Sequence, residues 1–401
     1  MKKRSAVLTF DKLIKKQLLT HLELLRFKPR DDGSLSPISK AKSRLRKMHD
    51  HHRQEKLRRE VTFVKQEWPK LRNYFADGCD VNPQAISPRL ELVKADTWQS
   101  NLFRLASLGW RVPVSSGYGR RIRFLVWDES NGKLIGLIGL GDPVFNMRVR
   151  DQLIGWSSSD RESRLVNVMD AYVLGALPPY NMLLGGKLIA ALLRTKEIRR
   201  IFAQKYRRSK GVISKAKKKP SLVLVTTTSA LGRSSVFNRV TLDGDKYLQS
   251  IGYTSGWGHF HIPDELFQLV RRFLSGRDHK YANGNRFGDG PNWKIRALRH
   301  TLKLLGLDEN LLKHGIEREV FICRLAQNWR EILCGKQKRP SVAHLKSVKE
   351  VGILARNRWI IPRADRCEDY KAWRRSTFRR SLNPRRAATR TFKGLRRYGT
   401  R

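Results

Sequence analysis

Acidic side chains are few in this 401-residue chain. Its 35 Asp and Glu residues stand against 83 Lys and Arg, so the formal net charge is +48. A compact protein with that much charge repels itself unless a polyanion neutralises it, and nucleic acid is the most common such partner. An anionic membrane surface is the second candidate. The shortage of acid therefore favours a protein that binds nucleic acid.

Long apolar runs, paired cysteines and several familiar catalytic motifs are absent as well. No run of about 18 apolar residues occurs, so we expect no membrane span. The basic N-terminus also lacks the apolar stretch and cleavage site of a signal peptide. We find no Walker A, H-E-x-x-H, G-x-S-x-G or kinase motif. Four cysteines without C-x-x-C spacing predict reduced thiols in a cytoplasmic protein.

The distribution of charge predicts three regions. Residues 1–85 carry 21 Lys and Arg with helical apolar spacing, which predicts a basic, helical N-terminal arm. Residues 86–276 form the predicted core. Residues 277–401 carry 32 Lys and Arg, with helical patterns at 293–306 and 316–333. The last 31 residues contain twelve basic residues and no acid, so we expect them to be disordered when alone.

Strands and helices alternate in the predicted core. Two apolar runs, 122–127 and 134–140, flank a turn with an Asn-Gly pair, which predicts a β-hairpin. A helix with Ser159 or Asp160 as N-cap follows, then the strand YVLGALP, a helix after two prolines, and the strand SLVLVTTTS. Pro263 and two acids begin another helix. This order indicates an α/β (α+β) fold with a mixed sheet, flanked by basic and mostly helical regions.

Basic residues are concentrated in two stretches, 194–220 and 371–401. The first holds twelve Lys or Arg and a single acid, Glu197, while the rest of the core is close to charge balance. Aromatic residues are interleaved with the bases in both stretches, and that mixture suits phosphate contacts together with base stacking. A solvated, disordered spacer is the alternative for 194–220. We predict nucleic-acid contacts from Arg199, Arg200, Arg207, Arg208, Lys217, Lys218, Lys219, Arg374, Arg375, Arg379, Arg380, Arg385, Arg386, Arg396 and Arg397.

The order of core elements resembles the GNAT acyltransferase fold. In that family a strand splays from its neighbour, and the next helix N-terminus binds the coenzyme A pyrophosphate, which here corresponds to residues 179–193. Gly185 and Gly186 stand in place of the family's glycine-rich turn and are the candidate cofactor-binding residues. Their sequence, NMLLGGK, departs from the family motif. Close packing of the helix on the sheet is the alternative role, and a GNAT-like fold does not imply acyl transfer.

A longer fingerprint resembles the DruA family, a component of the Druantia antiphage defence system. The hairpin is followed by the sequences RD and IGW within 150–156, a Ser-Asp-Arg helix start and the glycine-rich end SIGYTSGWGHFHIP. The resemblance covers 110–275. It implies a bacterial role against phage together with other Druantia proteins, including a large helicase-like subunit. We interpret Arg150 and Asp151 as a structural ion pair or cap.

His259 and His261 are the candidate catalytic residues. On a strand, residues two apart point to one face, so both imidazoles would meet one metal ion, as in single-strand nucleases of the HUH class. Two core or surface histidines are the alternative, and Tyr281 lies in a linker rich in Gly and Asn. The group H-D-H-H at 49–52 is predicted to face solvent, so no metal site is predicted. The core aspartates, Asp170 among them, are scattered in sequence and do not by themselves predict a two-metal nuclease.

Two hypotheses of different classes follow. The first is a subunit that binds nucleic acid, DNA in preference, and presents it to partner proteins. The second is an enzyme whose core has acyltransferase-like or single-strand nuclease activity. A scaffold whose basic arms contact acidic protein surfaces is a third. Neutralising the basic stretches separates binding from an activity that depends on the glycine or histidine candidates.

Overall fold

The structure is a computed structural model that describes residues 2–112, 114, 119–207, 220–283 and 291–384. Strands and helices are numbered here in chain order. The strands are β1 (Phe27–Pro29), β2 (Leu35–Pro37), β3 (Pro88–Leu92), β4 (Arg121–Asp128), β5 (Lys133–Gly141), β6 (Val168–Ala176), β7 (Leu224–Thr228), β8 (Thr241–Leu242), β9 (Asp245–Lys246), β10 (Gln249–Tyr253) and β11 (Glu319–Arg324).

Helices precede, connect and follow these strands, and short 3-10 or π segments extend several of them. They are α1 (Lys2–Leu24), α2 (Lys42–Arg59), α3 (Val61–Leu71), α4 (Trp98–Ser107), α5 (Arg148–Ile154), α6 (Ser158–Arg164), α7 (Gly185–Ala191), α8 (Lys196–Tyr206), α9 (Asp264–Ser275), α10 (Pro291–Leu304), α11 (Trp329–Leu333), α12 (Val348–Ala355), α13 (Ile361–Ala364) and α14 (Arg375–Ser381).

Seven strands form one sheet in the order β10-β11-β7-β6-β5-β4-β3. Neighbours in this sheet are antiparallel except β6 and β7, which are parallel. That pair is in register over three residues, 168–170 against 224–226, and α7 and α8 connect its two strands. The mixed α/β class predicted from the sequence is confirmed, while the closer likeness to the GNAT fold stays a prediction.

The predicted β-hairpin is confirmed as β4 and β5. Its turn is held by Asp128, whose main-chain oxygen accepts a hydrogen bond from Gly132 N at 2.8 Å. The fully buried Asp128 carboxylate accepts a hydrogen bond from Ser130 Oγ at 2.8 Å and another from the hydroxyl of Tyr180 at 2.9 Å. Because Tyr180 lies just before α7, these bonds fasten the hairpin turn to the connection between β6 and β7.

Other predicted elements are confirmed with shifted ends. The strands YVLGALP and SLVLVTTTS overlap β6 and β7, and the helix that follows Pro263 is α9, with Pro263 as its N-cap. The helix predicted to start at Ser159 or Asp160 is α6. Its N-cap is Ser157, because Ser157 and Asp160 form a capping box.

The helix predicted at 316–333 is wrong for most of its length. Residues 319–324 form β11, which lies inside the sheet between β10 and β7. Val, Phe and Ile in the sequence EVFICR favour a strand, and pairing on both edges outweighs the helical spacing of the longer stretch. The helical part of this range is α11. A strand from the predicted C-terminal region thus completes the sheet, and the proposed division into three regions stays a prediction.

One face of the sheet packs against a continuous helical layer. Phe124 of β4 and Ile138 of β5 are buried in the same apolar cluster as Ile189 of α7, Phe202 of α8 and Val351 of α12. Since side chains alternate along a strand, the residues between these lie on the opposite face. This layer places α8, the first half of the basic stretch, directly on the core.

The second face carries two apolar clusters instead of one. Leu125 and Leu137 pack in a cluster with Leu102 of α4, and residues of α3 belong to it too. At the other side of the sheet, Val168 and Leu224 pack with the end of α5. The strand residues between the two clusters are polar or glycine, and they form the candidate site described below.

The N-terminal helices pack on the folded chain and do not extend from it as a free arm. Ile14 and Leu18 of α1 are buried in one cluster with Leu266 and Phe273 of α9. The helical prediction for this region is confirmed, and Pro69 lies inside α3. Within the described part of the chain, no helix combines the length and the apolar character needed to cross a membrane.

Buried histidines line the contact between the N-terminal helices and the turn that precedes α9. The ring of His49 lies 4.9 Å from that of Phe260, and the rings of His261 and His314 are 5.5 Å apart. His21 Nε2 lies 2.8 Å from the main-chain oxygen of His261. Burial lowers the pKa of His49 and of His261 to about 3, and that of His314 to about 2. The predicted exposure of the H-D-H-H group is wrong for His49, which is 4% exposed.

Lowering the pH should destabilise the contact between the N-terminal helices and the turn before α9. His49, His261 and His314 stay neutral in the folded chain but gain a proton on unfolding once the pH falls below their ordinary value of 6.5, so stability is lost as the pH falls through that value. Between about pH 7.5 and about pH 5.5 we expect a loss of about 1 kcal/mol for each histidine. Amide hydrogen exchange in α1 and α9 measures it. Unchanged protection, after correction for intrinsic exchange rates, would contradict this expectation.

Candidate nucleic-acid interface

A polar row crosses the second face of the sheet between its two apolar clusters. Arg121 of β4 lies opposite Gly141 of β5, Gly141 lies opposite Asp170 of β6, and Asp170 lies opposite Thr226 of β7. We call these four residues the Arg–Asp row. It brings an arginine and an aspartate that are far apart in sequence to the same face, with a glycine between them.

Glycines in β5 allow large side chains to lie flat across the sheet. A Cβ atom at Gly141 would be 2.8 Å from Nη1 of Arg121, and one at Gly139 would be 2.9 Å from Cζ of Tyr172. The Arg121 guanidinium in turn lies 4.1 Å from the centre of the Tyr172 ring. The row therefore has a layered surface of glycine, tyrosine and arginine, which is held together by a cation–π contact.

The Asp170 carboxylate has a hydrogen bond to a hydroxyl group but no paired cation among the described residues. Thr226 Oγ1 donates a hydrogen bond to its Oδ1 at 2.7 Å. Burial raises the pKa of Asp170 to about 6, although the Thr226 bond and the charges of Arg150 and Arg121 act in the opposite direction. Among the described residues it makes no ion pair within 4.0 Å. A partly desolvated acid held beside arginines is a feature of binding and catalytic sites.

Arg150 supplies positive charge from inside the fold. Its side chain is fully buried and lies 2.6 Å from Asp151 Oδ1, and it donates hydrogen bonds to the main-chain oxygens of Val144 and Phe145. The structural ion pair predicted for Arg150 and Asp151 is confirmed. Because Asp151 and the carbonyl groups fix Arg150 in place, its charge acts on Asp170 without direct contact.

The folded half of the basic stretch is fastened to the end of the sheet where the row begins. Lys205 Nζ and the hydroxyl of Tyr206 both donate to the main-chain oxygen of Arg121, at 2.9 and 3.0 Å. On the far side of the stretch, Ser221 N donates to Asn167 Oδ1 at 2.9 Å, next to the start of β6. The described residues on either side of 208–219 are therefore held at Arg121 of β4 and next to the start of β6.

The single acid of the basic stretch has a structural role. The Glu197 carboxylate accepts a hydrogen bond from Val348 N, the first main-chain amide of α12, at 3.1 Å. Negative charge at a helix N-terminus is favourable because the free amide groups there carry partial positive charge. Glu197 thus joins α8 to α12. No other acid within the stretch can pair with its Lys and Arg residues.

The predicted contact residues of the first stretch fall into three groups. Arg200 and Arg207 are exposed on and just after α8. Arg199 is partly buried and donates to the main-chain oxygen of Leu222 at 3.0 Å, so it holds the fold as well. Arg208, Lys217, Lys218 and Lys219 lie outside the described residues.

The second basic stretch begins inside the folded chain. Phe378 of α14 is buried, and its ring stacks on that of Phe75 at 4.8 Å within the cluster of α3 and α4. This differs from the disorder predicted for 371–401, since 371–384 is folded onto the second face. Residues 385–401, with the predicted contacts Arg385, Arg386, Arg396 and Arg397, lie outside the described residues.

The arginines in and next to α14 differ in their exposure and in their contacts. Arg374 and Arg380 are exposed. Arg379 donates to Asn383 Oδ1 at 2.7 Å, and Arg375 lies 2.8 Å from a carboxylate oxygen of Asp77. Arg374 donates to the main-chain oxygens of Lys371 and Trp373, and Arg380 donates to Thr377 Oγ1 at 3.0 Å, so both keep only local partners. Like Arg200 and Arg207, these two predicted contacts are exposed.

His259 and His261 do not lie on a strand, contrary to the arrangement on which the nuclease hypothesis depends. They follow β10 in a turn that is closed by a hydrogen bond from Ile262 N to His259 O at 2.9 Å. His261 is 2% exposed, and its Nε2 lies 3.1 Å from Leu311 O. In the described ranges no group of three or more His, Cys, Asp or Glu side chains is placed to hold a metal ion. This geometry favours core histidines.

Gly185 and Gly186 begin α7 but differ in their surroundings. A Cβ at Gly185 would lie 2.6 Å from the main-chain oxygen of Tyr180, and Gly185 N already donates to that oxygen at 2.8 Å. A Cβ at Gly186 would meet Val236 Cγ1 at 3.9 Å. Close packing therefore accounts for Gly185, and its amide is not free for a phosphate. The role of the pair in binding a cofactor stays a prediction.

Sequence reasoning alone did not single out the Arg–Asp row. Arg121, Gly141 and Asp170 belong to three separate strands, and their alignment depends on the register of two strand pairs. The signal present in the sequence was the pair of glycines, Gly139 and Gly141, inside an otherwise apolar strand, since glycine within a strand often marks a close approach.

Comparison with known proteins identifies the family. A family model described as "Druantia protein DruA" matches residues 39–335. A curated relative from Escherichia coli (strain UMEA 4076-1), also named "Druantia protein DruA", is 54% identical over 361 residues, which cover 90% of this chain and 89% of the relative. The chain belongs to the DruA family. The resemblance found at 110–275 is confirmed, and with it membership of the Druantia antiphage defence system. No solved structure matches this DruA-family chain.

The two glycines of α7 provide a matched pair of substitutions in this DruA-family chain. We expect Gly185→Ala to lower the free energy of unfolding by about 1–3 kcal/mol, because the new methyl group would overlap the Tyr180 carbonyl. Gly186→Ala should leave stability unchanged or raise it slightly, since alanine favours the helix and the site has room. Chemical denaturation measures both. Equal stability of the two variants would contradict the packing role of Gly185.

Asp170 of the row should lower the free energy of unfolding at neutral pH. The folded-state pKa of Asp170 lies above its ordinary value, so its ionised form is unfavourable in the fold above about pH 6. We expect Asp170→Asn to raise the free energy of unfolding by about 1 kcal/mol at neutral pH and by less as the pH falls through 6. Asp142→Asn is the control, because Asp142 pairs with Arg120 at 2.6 Å and its loss gives no gain. Destabilisation by both changes alike would refute the interpretation.

Proposed function

We propose that this protein is the nucleic-acid-binding subunit of its Druantia system. It binds DNA in preference, in the cytoplasm, and presents the bound strand to other Druantia proteins, a helicase-like subunit among them. The observation that carries the proposal is the Arg–Asp row itself: the main chain of Arg121 accepts hydrogen bonds from Lys205 and Tyr206 of one basic stretch, and Phe378 of the other packs in an apolar cluster on the same sheet face. Membership of the DruA family supports the defence role.

Cations on this face are available to a ligand. Among the described residues, neither Arg121 nor its neighbour Arg123 makes an ion pair within 4.0 Å. The buried Nε of Arg121 has no hydrogen-bond partner in the structure. Arg123 lies over the ring of Phe103, with its guanidinium carbon 5.7 Å from the ring centre. Arginines that are positioned by aromatic rings and free of acids suit contacts with phosphate groups.

The distribution of charge supports the same face. The chain carries an excess of 48 positive charges, and its two most basic stretches supply 24 Lys and Arg against one acid. Lys205 of the first stretch donates to the main chain of Arg121, and Phe378 of the second packs in the apolar cluster on that face. A nucleic-acid strand on this face would therefore have Lys and Arg residues of both stretches attached to the same fold, as in proteins whose positively charged groove tracks the nucleic-acid backbone.

The enzyme hypothesis gains less support from the described residues. The His259 and His261 rings do not share a strand face, and the amide of Gly185 is bonded to Tyr180. The described part of the chain holds no carboxylate group suited to a pair of metal ions. We therefore base the proposed function on binding.

Fluorescence anisotropy with labelled single-stranded and duplex DNA at several salt concentrations tests the proposal. We expect the double variant Arg121→Ala/Arg123→Ala to bind about tenfold more weakly, with a log–log salt slope that is smaller by roughly 0.7–0.9 for each lost phosphate contact. Arg296→Ala/Arg299→Ala is the control, because it removes the same charge from exposed positions on α10. A third variant, with Lys217, Lys218 and Lys219 changed to Gln, tests the basic stretch.

Two results would refute the proposal. One is the absence of salt-dependent binding by the unaltered chain near physiological salt. The other is an equal loss of affinity in the β4 and α10 variants, which would show that net charge alone, without a defined face, attracts the strand.

A further inference from the structure

We infer that the Arg–Asp row reads a base of a single strand, and that it takes a base with an amino group and a carbonyl oxygen on the same edge, which is cytosine or guanine. The inference rests on the proposed function and adds a specificity to it. Arg121 and Asp170 would each contact the base edge, and Thr226 would hold the carboxylate in place.

A donor and an acceptor stand side by side on this surface. The guanidinium of Arg121 reaches across Gly141 towards β6, where Asp170 presents its carboxylate. The two groups are close enough for Arg121 to lower the pKa of Asp170, yet they are not within 4.0 Å of each other. A base edge with an oxygen facing the arginine and an amino group facing the aspartate would satisfy both.

The presence of Asp170 is evidence against a site that binds only phosphate groups. A carboxylate repels the phosphate backbone, so a row that bound only phosphate would gain from a neutral residue at this position. An aspartate instead accepts hydrogen bonds from the amino group of cytosine, and an arginine donates to the carbonyl oxygen of guanine. Thymine has no amino group, and adenine has no carbonyl oxygen. The row therefore distinguishes two bases from the other two.

The surroundings of Asp170 keep the carboxylate in one position. Thr226 occupies Oδ1, which leaves Oδ2 without a hydrogen bond among the described residues. Arg150 lies nearby but is held by Asp151 and two main-chain oxygens, so it does not turn to neutralise Asp170. The carboxylate is desolvated and fixed, and one of its two oxygens has no hydrogen bond. It is therefore suited to a ligand that donates a hydrogen bond.

The layered surface also suits a flat ligand. Tyr172 lies over Gly139, and Arg121 lies over both Gly141 and the Tyr172 ring. Bases stack on aromatic rings and on guanidinium planes in proteins that bind single strands. Duplex DNA hides this edge of its bases in pairing, so the inference applies to an unpaired strand.

Competition between two short single strands tests the inference. One is an oligothymidylate, and the other is the same strand with spaced cytidines, which avoids the folded forms of cytosine runs. We expect the unaltered chain to prefer the cytidine strand by roughly fivefold or more at neutral pH, since a well-formed base contact gives discrimination of that order. In Asp170→Asn the ratio of the two affinities should fall to about one, because the amide no longer offers the charged acceptor that the amino group requires.

A pH titration of the unaltered chain gives a second test that needs no variant. The groups facing Asp170 are Thr226, Arg121 and Arg150, of which the two arginines stay charged throughout. Protonation of Asp170 removes its negative charge and turns one acceptor oxygen into a donor, so the cytidine preference should fall as the pH drops through about 6.

The outcomes separate the two proposals. Equal affinity of the unaltered chain for both strands would overturn the base-reading inference and leave the binding function intact. A preference that persists in Asp170→Asn, or that does not change with pH, would also overturn it. Failure to bind either strand would instead refute the proposed function.

Discussion

The arrangement of the second sheet face is set by one packing constraint: its two apolar clusters do not meet. Leu125 and Leu137 are covered by α3 and α4 on one side, and Val168 and Leu224 are covered by α5 on the other. A sheet face left between two covered areas is not closed by a helical layer, so polar side chains there keep part of their contact with solvent, although Asp170 is desolvated enough for its pKa to rise to about 6. The Arg–Asp row occupies this interval; the first basic stretch is bonded to its Arg121, and the second is packed in the α3–α4 cluster.

Local patterns in the sequence predicted many of the helices and strands but not which strands pair in the sheet. The Asn-Gly turn between two apolar runs correctly predicted the β4–β5 hairpin, a short apolar run predicted β6, and a Val- and Thr-rich run predicted β7. Residues 319–324 were predicted as helix because their strand character is decided by partners more than 60 residues away, in β10 and β7. Contacts between distant segments override local preference in this way, and one sequence does not reveal them.

The same limit applies to the site. Abundant basic residues marked two segments, and the structure attaches both to the fold through Tyr206 and Phe378, two of the aromatic residues between the bases. The aspartate in the centre was not singled out, because a lone Asp in an apolar run carries no local signal. Gly185, His259 and His261 gave patterns that resembled known sites. Close packing on Tyr180 and burial beside Leu311 explain their positions more simply.

The buried ring of Phe378 has a consequence for how strongly a strand is held. It fixes residues 375–381, the described start of the second basic stretch, to the α3–α4 layer. Under the proposed binding function, a nucleic-acid strand at the row would meet the Lys and Arg residues of this stretch at an effective concentration on the order of millimolar, set by the fold and not by the amount of protein. Avidity of this kind would slow dissociation, and it would depend on one buried aromatic side chain.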